Sequence, residues 1–95
     1  MAAYIIAEVE VTDQAAYERY RPIALETVTK YGGKFIVRGG ASEGLEGEPP
    51  RPRTVVLEFP SADQARKWYR SAEYAPGLKL RQSASRSRVF LVEGV

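Results

Sequence analysis

The chain has 95 residues, a formal net charge of +2 and neither cysteine nor histidine. The missing side chains exclude disulfides, a thiolate nucleophile, an imidazole base and the usual zinc ligands. We therefore expect no metal and no other cofactor, and any acid–base chemistry falls to Asp, Glu, Tyr, Lys or Arg. A chain of this length is expected to form one domain, residues 1–95, whose thin core a second copy would enlarge.

The apolar start of the chain ends at Glu8 and has no basic residue before it, so it lacks the pattern of a secretory signal. No apolar run approaches the roughly 20 residues that cross a bilayer. These features predict a cytoplasmic protein without a membrane partner.

The first half of the chain predicts a strand, a helix and a second strand. Alternating apolar residues indicate a strand over Tyr4–Val11. Asp13 offers a side-chain oxygen to the free amides of a helix start, and Gly32-Gly33 ends that helix. Pro22 lies inside the helix and cannot donate a backbone hydrogen bond, which predicts a kink or a restart. The helix carries one stripe of apolar and aromatic residues: Tyr17, Tyr20, Ala24, Val28 and Tyr31.

The second strand is predicted over Lys34–Arg38 and is followed by a long connection. The segment Ala41–Glu48 leaves two interpretations open, a short edge strand through Leu45 or a plain loop. Pro49–Pro52 is too rich in proline for a helix or a central strand and indicates an extended connector.

A third strand is predicted over Arg53–Phe59, and Pro60 ends it. Ser61 and Gln64 then form a capping box, in which each side chain bonds the other residue's backbone amide. The helix that follows presents an apolar face as far as Ala72.

The end of the chain is less regular in its pattern. Ser71 is placed to cap a further short helix through Tyr74, and Pro76-Gly77 predicts a bend followed by an irregular segment. The last strand is predicted over Arg88–Glu93.

The order strand–helix–strand, repeated, is that of an α+β, ferredoxin-like βαββαβ sandwich with an antiparallel sheet. Two helices would cover one face of that sheet and leave the other face open. Ile6, Ile36 and Val56 are predicted on the open face, where a monomer would leave apolar surface in water. We therefore expect a homodimer whose two sheets pack face to face, a dimeric α/β barrel.

Several motifs spread over Tyr4–Gly94 resemble domain-of-unknown-function family thirteen-thirty. The resemblance implies the ferredoxin-like fold and the dimeric barrel, and kinship with barrels that include cofactor-free monooxygenases, lactone isomerases and haem-handling enzymes. It implies no assigned reaction. Two departures from the family pattern are Gln14, where a proline commonly opens the first helix, and Tyr74–Leu78, which is expected to break a more regular helical stretch. The motifs are Thr12-Asp13, Lys30-Tyr31-Gly32-Gly33, Arg38-Gly39-Gly40, Leu45-Glu46-Gly47, Glu58-Phe59-Pro60-Ser61 and Trp68-Tyr69.

Two carboxylates are candidates for catalytic groups. Glu8 and Glu58 have the same facing on strands expected to be neighbours, with Arg38 nearby. Burial would raise their pKa values and allow acid–base chemistry. The alternative is an ion-pair network between two subunits.

A second set of residues predicts a substrate-binding site between the helices and the sheet. Arg38 would grip a carboxylate or enolate, and the rings of Tyr20, Trp68 and Tyr74 would cover an apolar body. The alternatives are that the rings are packed core and that Arg38 pairs with Glu46 or Glu58.

The basic stretch Arg66–Arg88, in which Glu73 is the one acid, raises the question of a nucleic-acid partner. An RNA-binding sheet exposes aromatic rings, whereas here the corresponding face carries Glu8 and Glu58, which repel phosphate. We therefore expect no nucleic-acid partner. Two hypotheses remain: a cofactor-independent enzyme or binder of a small organic anion, and a non-catalytic dimeric carrier or interaction module.

Overall fold

The computed structural model describes all 95 residues. Its four strands form one antiparallel sheet in the order β2-β3-β1-β4, with three helices on one face. The predicted α+β ferredoxin-like architecture is confirmed. None of the helices is long and apolar enough to span a membrane. The elements are β1 (Ala3–Val11), α1 (Gln14–Lys30), β2 (Lys34–Arg38), β3 (Arg53–Phe59), α2 (Ala62–Tyr69), α3 (Ala75–Ala84) and β4 (Ser85–Glu93).

Helix α1 begins and ends where its sequence indicates. The Asp13 side chain accepts a hydrogen bond from the backbone N–H of Ala16 at 3.1 Å, which satisfies one free amide of the first turn. At the other end Gly32 has a φ of +82°, and the amide of Gly33 reaches the carbonyl of Val28 at 2.9 Å. The helix is unbroken through Pro22, so the predicted restart is absent.

Helix α3 differs from the sequence-based expectation. Tyr74–Leu78 was expected to interrupt helical structure, but a helix begins at Ala75 and runs to Ala84. Pro76 stands in its first turn, where the missing backbone N–H has no intrahelical partner to lose. Gly77 allows close packing, because a Cβ there would lie 2.8 Å from Cγ2 of Ile23 in α1. The two residues interpreted as a bend therefore start a helix and seat it against α1.

The predicted capping box at α2 is only half formed. Ser61 Oγ accepts a hydrogen bond from the Gln64 amide at 3.1 Å, as expected. The Gln64 side chain, however, donates to the carbonyl oxygen of Tyr31 at 2.8 Å and thereby ties α2 to the end of α1. That carbonyl lies beyond the last turn of α1 and is left without a helical donor.

Of the two interpretations of the segment after β2, an edge strand or a plain loop, the structure contains the loop. Ala41–Glu48 contains no strand, and Leu45 is exposed. A bulge interrupts the β2–β3 register between Phe35 and Val37. Strand β4 begins at Ser85, three residues before the predicted start.

The open face of the sheet carries a continuous apolar row across all four strands. Ile6 of β1 lies opposite Val56 of β3 on one side and Phe90 of β4 on the other, and Val37 lies opposite Val56. Phe90 is 42% exposed and Val37 39% exposed. Ile36, also expected on this face, is exposed at the bulge. The predicted apolar open face is therefore present.

Candidate functional site

A cavity of about 200 Å³ lies between the helices and the covered face of the sheet. Most of its lining is apolar or aromatic, and no aspartate or glutamate contributes to it. The lining residues that are exposed to solvent come from α1 and from the end of β2, so the cavity opens between these elements. They are Arg21, Pro22, Leu25 and Arg38.

The sheet register places polar groups at one end of this cavity. On the covered face, Arg53 of β3 lies opposite Val9 of β1, and Val9 lies opposite Ser87 of β4. The next row contains Arg38, opposite Val55. Since residues in such rows are neighbours on one face, the arginines meet at one end of the sheet.

The other end of the cavity is apolar. Phe35, Leu57 and Ile5 form the following row on the covered face. Trp68 closes the cavity above them, and its ring lies 5.6 Å from that of Phe59 and 4.2 Å from that of Tyr74 between centroids. The site thus combines a cationic end with an aromatic end, which suits an amphipathic anion.

Arg81 of α3 is the deepest cation of the cavity, with 5% of its surface exposed. Its Nη1 donates to Ser87 Oγ at 2.6 Å and its Nε donates to Tyr74 Oη at 3.4 Å. Both acceptors are neutral hydroxyls, and none of the salt bridges of the protein includes Arg81. Burial is the largest single influence and lowers the pKa of Arg81, but the interactions with Tyr74, Tyr20 and Tyr69 together outweigh it, and the pKa of Arg81 is raised. The structure therefore holds a buried cation without a counter-ion.

Two tyrosine hydroxyls extend this polar group into the cavity. Tyr20 Oη and Tyr74 Oη lie 2.8 Å apart, and both side chains are buried. Burial, and then the neighbouring Tyr74, raise the pKa of Tyr20 well above its usual value. Tyr20 therefore stays protonated at neutral pH and does not serve as a general base.

Two of the three other arginines that line the cavity also lack a carboxylate partner. Arg38 lies over the ring of Phe35, with 4.4 Å from its guanidinium carbon to the ring centroid. Arg53 packs near the ring of Tyr17, and its buried Nε has no hydrogen-bond partner. Arg21 differs, because it forms a salt bridge with Glu18 at 3.3 Å. Three cations at this site are thus available to an anion.

All four residues of the predicted binding site line this one cavity: Arg38, Tyr20, Trp68 and Tyr74. The rings of Tyr20, Trp68 and Tyr74 are also buried members of the core. Arg38 pairs with neither Glu46 nor Glu58. It lies on the face of the sheet opposite to the two candidate carboxylates, and so the expectation that it lies near them is wrong.

The structure does not bring Glu8 and Glu58 together. Glu8 lies opposite Thr54, so that Glu58 is four residues further along β3, a distance of about 13 Å. Glu8 forms a salt bridge with Arg88, which lowers its pKa, and Glu58 pairs with Lys34 at 3.2 Å. Both carboxylates sit on the open face, outside the cavity.

Arg81 and Arg53 are site residues that the sequence analysis did not select. Arg81 stands seven residues after Tyr74, two helical turns, and so shares its side of α3. This spacing did not indicate a shared helix face, because Pro76 and Gly77 predicted a bend between the two residues. The sequence did not point to Arg53, because the position of a residue at the start of a strand does not show which residues of the neighbouring strands it will lie beside.

The sequence model of the family described as Domain of unknown function (DUF1330) matches residues 2–95. The chain belongs to this family. The predicted resemblance is thereby confirmed. No curated protein sequence matches this DUF1330 protein.

Solved structures share the fold at low sequence identity. A protein of unknown function from Rhodopseudomonas palustris is 20% identical, with a TM-score of 0.80 over 99% of this chain and 82% of that chain. SnoaB, a cofactor-independent oxygenase from Streptomyces nogalater, is 14% identical, with a TM-score of 0.67 over 99% of this chain and 93% of that chain. An antibiotic biosynthesis monooxygenase is 15% identical, with a TM-score of 0.54 over 100% of this chain and 99% of that chain. At these identities the likeness establishes the fold alone.

Proposed function

We propose that this protein binds a small organic anion in the cavity between the helices and the sheet. The observation that carries the proposal is the buried guanidinium of Arg81, which has hydroxyl partners and no carboxylate. A buried charge is costly unless it is paired. The negative group of a ligand would supply the missing partner, with Arg38 and Arg53 near it.

The dimensions of the cavity limit the size of the ligand. A cavity of about 150 Å³ accommodates benzene. The 200 Å³ found here therefore suits a body of one ring or a branched chain of similar size. Trp68 and Tyr74 would cover that body, while the arginines hold the anionic group. Benzoate and phenylpyruvate have the required shape and charge.

Calorimetric titration with benzoate tests the proposal, with benzamide as its neutral counterpart of the same shape. We expect benzoate to bind more tightly than benzamide. Arg81→Met should weaken benzoate binding about tenfold or more, since a hydrogen bond to a charged group contributes roughly 1.5–3 kcal/mol. Arg19→Met is the matched control, because Arg19 is exposed on α1 and does not line the cavity.

Arg38→Ala provides a second variant with little risk to folding, because Arg38 is exposed. It should weaken benzoate binding and leave benzamide binding unchanged. Absence of binding by benzoate and phenylpyruvate, or equal binding of benzamide, would contradict the proposal.

A second candidate function is a cofactor-independent enzyme that oxidises the bound anion. The likeness in fold to the oxygenase SnoaB favours it. The ionised form of a phenol or enol is electron-rich, and a cationic cavity would favour that form. Oxygen uptake with small phenols and enolisable keto acids as substrates tests this candidate. A carrier, the alternative, would bind the same compounds without consuming oxygen.

We further infer that two copies associate through the open sheet face. The apolar row through Val56 and Phe90 is uncovered in a single copy. Two ion pairs flank this row, Glu58 with Lys34 on one side and Glu8 with Arg88 on the other, so a two-fold axis would bring charged groups of both signs to the rim of the contact. Burial of this row would extend the thin core of the protein.

A further inference from the structure

We propose that Arg81 and Tyr74 hold Tyr20 as a fixed hydrogen-bond donor, so that the cavity selects a ligand through an ionised oxygen, either a phenolate, an enolate or a carboxylate. The inference rests on the proposed anion site and adds its chemical selectivity. It assigns Tyr74 as a positioning residue and Tyr20 as the group that contacts the ligand.

The direction of the hydrogen bonds follows from the donors available. A guanidinium has donors only, and therefore Tyr74 Oη accepts from Arg81 Nε. The hydroxyl proton of Tyr74 then has one acceptor in the structure, Tyr20 Oη at 2.8 Å. Either direction of this bond leaves one hydroxyl proton without a partner in the protein. An unpaired donor costs most where it is most deeply buried, so the free proton belongs to Tyr20, which is 9% exposed, and not to Tyr74, which is 1% exposed. The chain therefore runs from Arg81 through Tyr74 to Tyr20.

The hydroxyl proton of Tyr20 is left for the cavity. Tyr20 Oη has no other hydrogen-bond partner in the protein, and its side chain lines the cavity. Burial keeps this hydroxyl protonated, which makes it a donor at neutral pH. A ligand oxygen placed there must accept, and an ionised oxygen accepts best.

The charges that line the cavity also favour the ionised form of the ligand oxygen. The cavity lining includes four arginines and no carboxylate, and the other titratable groups that line it are tyrosines. Three of these arginines are free of salt bridges. Cations within a few ångströms of an acidic group typically lower its pKa by about 1–3 units. A phenol bound here should therefore ionise at lower pH than the same phenol in water.

The probe for this inference is 4-nitrophenol, a one-ring phenol whose anion is yellow. Absorbance is followed as a function of pH for the free compound and for the compound bound to excess protein. We expect the ionisation midpoint of bound nitrophenol to lie about 1 pH unit or more below that of the free compound. Tyr20→Phe and Tyr74→Phe should each reduce this difference, since the first removes the donor to the phenolate oxygen and the second removes the hydrogen bond that fixes that donor in place.

Tyr4→Phe is the matched control, because Tyr4 lies on the open face and does not line the cavity. It should leave the midpoint of bound nitrophenol unchanged. Circular dichroism establishes that each variant is folded before it is titrated. If one of the two tyrosine variants does not fold, the other decides the outcome.

The outcomes separate this inference from the function on which it rests. If neither benzoate nor nitrophenol binds the wild-type protein, both proposals fall. If benzoate binds and nitrophenol does not, or if nitrophenol binds and the variants leave its ionisation midpoint unchanged, the anion site stands. The role assigned to Tyr20 and Tyr74 is then wrong.

Discussion

The indole Nε1 of Trp68 donates a hydrogen bond to Thr27 Oγ1 at 3.0 Å, which joins α2 to α1 inside the core. Thr27 Oγ1 in turn donates to the carbonyl oxygen of Ile23 at 2.7 Å. Trp68 is 2% exposed, so its N–H has no access to water if this acceptor is lost. One threonine hydroxyl thus supplies the hydrogen-bond partner for the polar group of the ring that closes the cavity.

Thr27→Val should destabilise the protein by about 1–3 kcal/mol, because it leaves the buried indole N–H unpaired while keeping the shape of the side chain. The midpoint of thermal unfolding should fall by roughly 4–8 °C for each kcal/mol in a domain of this size. Thr29→Val is the control: its hydroxyl also bonds a carbonyl of α1, at 2.8 Å, but is exposed. Equal effects of the two substitutions would show that the bond to Trp68 does not stabilise the core.

Ser61→Ala should lower the free energy of unfolding by about 1 kcal/mol, because the Gln64 amide loses its N-cap acceptor. Differential scanning calorimetry should record a midpoint lower by a few degrees, without a change in oligomeric mass. Ser83→Ala, in the exposed part of α3, serves for comparison and should have little effect. A midpoint that does not move for Ser61→Ala would mean that this cap contributes nothing.

The proposed dimer is tested by light scattering coupled to gel filtration. Wild-type protein at micromolar concentration should have the mass of two chains. Val56→Lys should give a monomer or an unfolded chain, because it would bury an unpaired charge in the interface. Leu45→Lys, at an exposed loop position, should retain the dimer mass. A monomer mass for the wild type would rule out the dimer.

The ion pair of Glu73 predicts a pH dependence of stability at acid pH. Its carboxylate contacts Lys30 Nζ at 2.6 Å and accepts from Tyr31 Oη at 2.8 Å. Chiefly through the hydrogen bond from Lys30, its pKa falls from 4.5 to about 2. Since the folded state has the lower pKa, the contribution of Glu73 to stability is present above pH 4.5 and is lost as the pH falls towards 2.

The measurement for Glu73 is the unfolding midpoint of wild type and Glu73→Gln between about pH 5 and pH 2. The difference in unfolding midpoint between the two proteins should become smaller as the pH falls through this range. It should be small throughout, because the pair is exposed to solvent. Glu46→Gln, at an exposed loop position without a salt bridge, should show no such narrowing. A constant difference for Glu73→Gln would contradict the assigned coupling.

Local sequence determined most of the secondary structure and the order of its elements. The alternation along β1, the N-cap Asp13 and the glycine end of α1 depend on contacts between residues within a few positions of one another. Such contacts are visible in the sequence. The same reasoning failed at Pro76-Gly77, where the signals for a bend and for a helix start use the same residues.

The tertiary structure alone decided which polar groups meet. Tyr20 and Tyr74 are 54 positions apart, and their hydrogen bond requires α1 and α3 to pack closely, which Gly77 permits. Arg53 and Ser87 belong to one row only through the registers of both strands with Val9. Periodicity shows that a side chain faces the core, but not which partner it meets there, because that choice depends on sheet register and helix packing. For this reason the sequence predicted the aromatic wall of the cavity, and only the fold revealed the buried cation beside it.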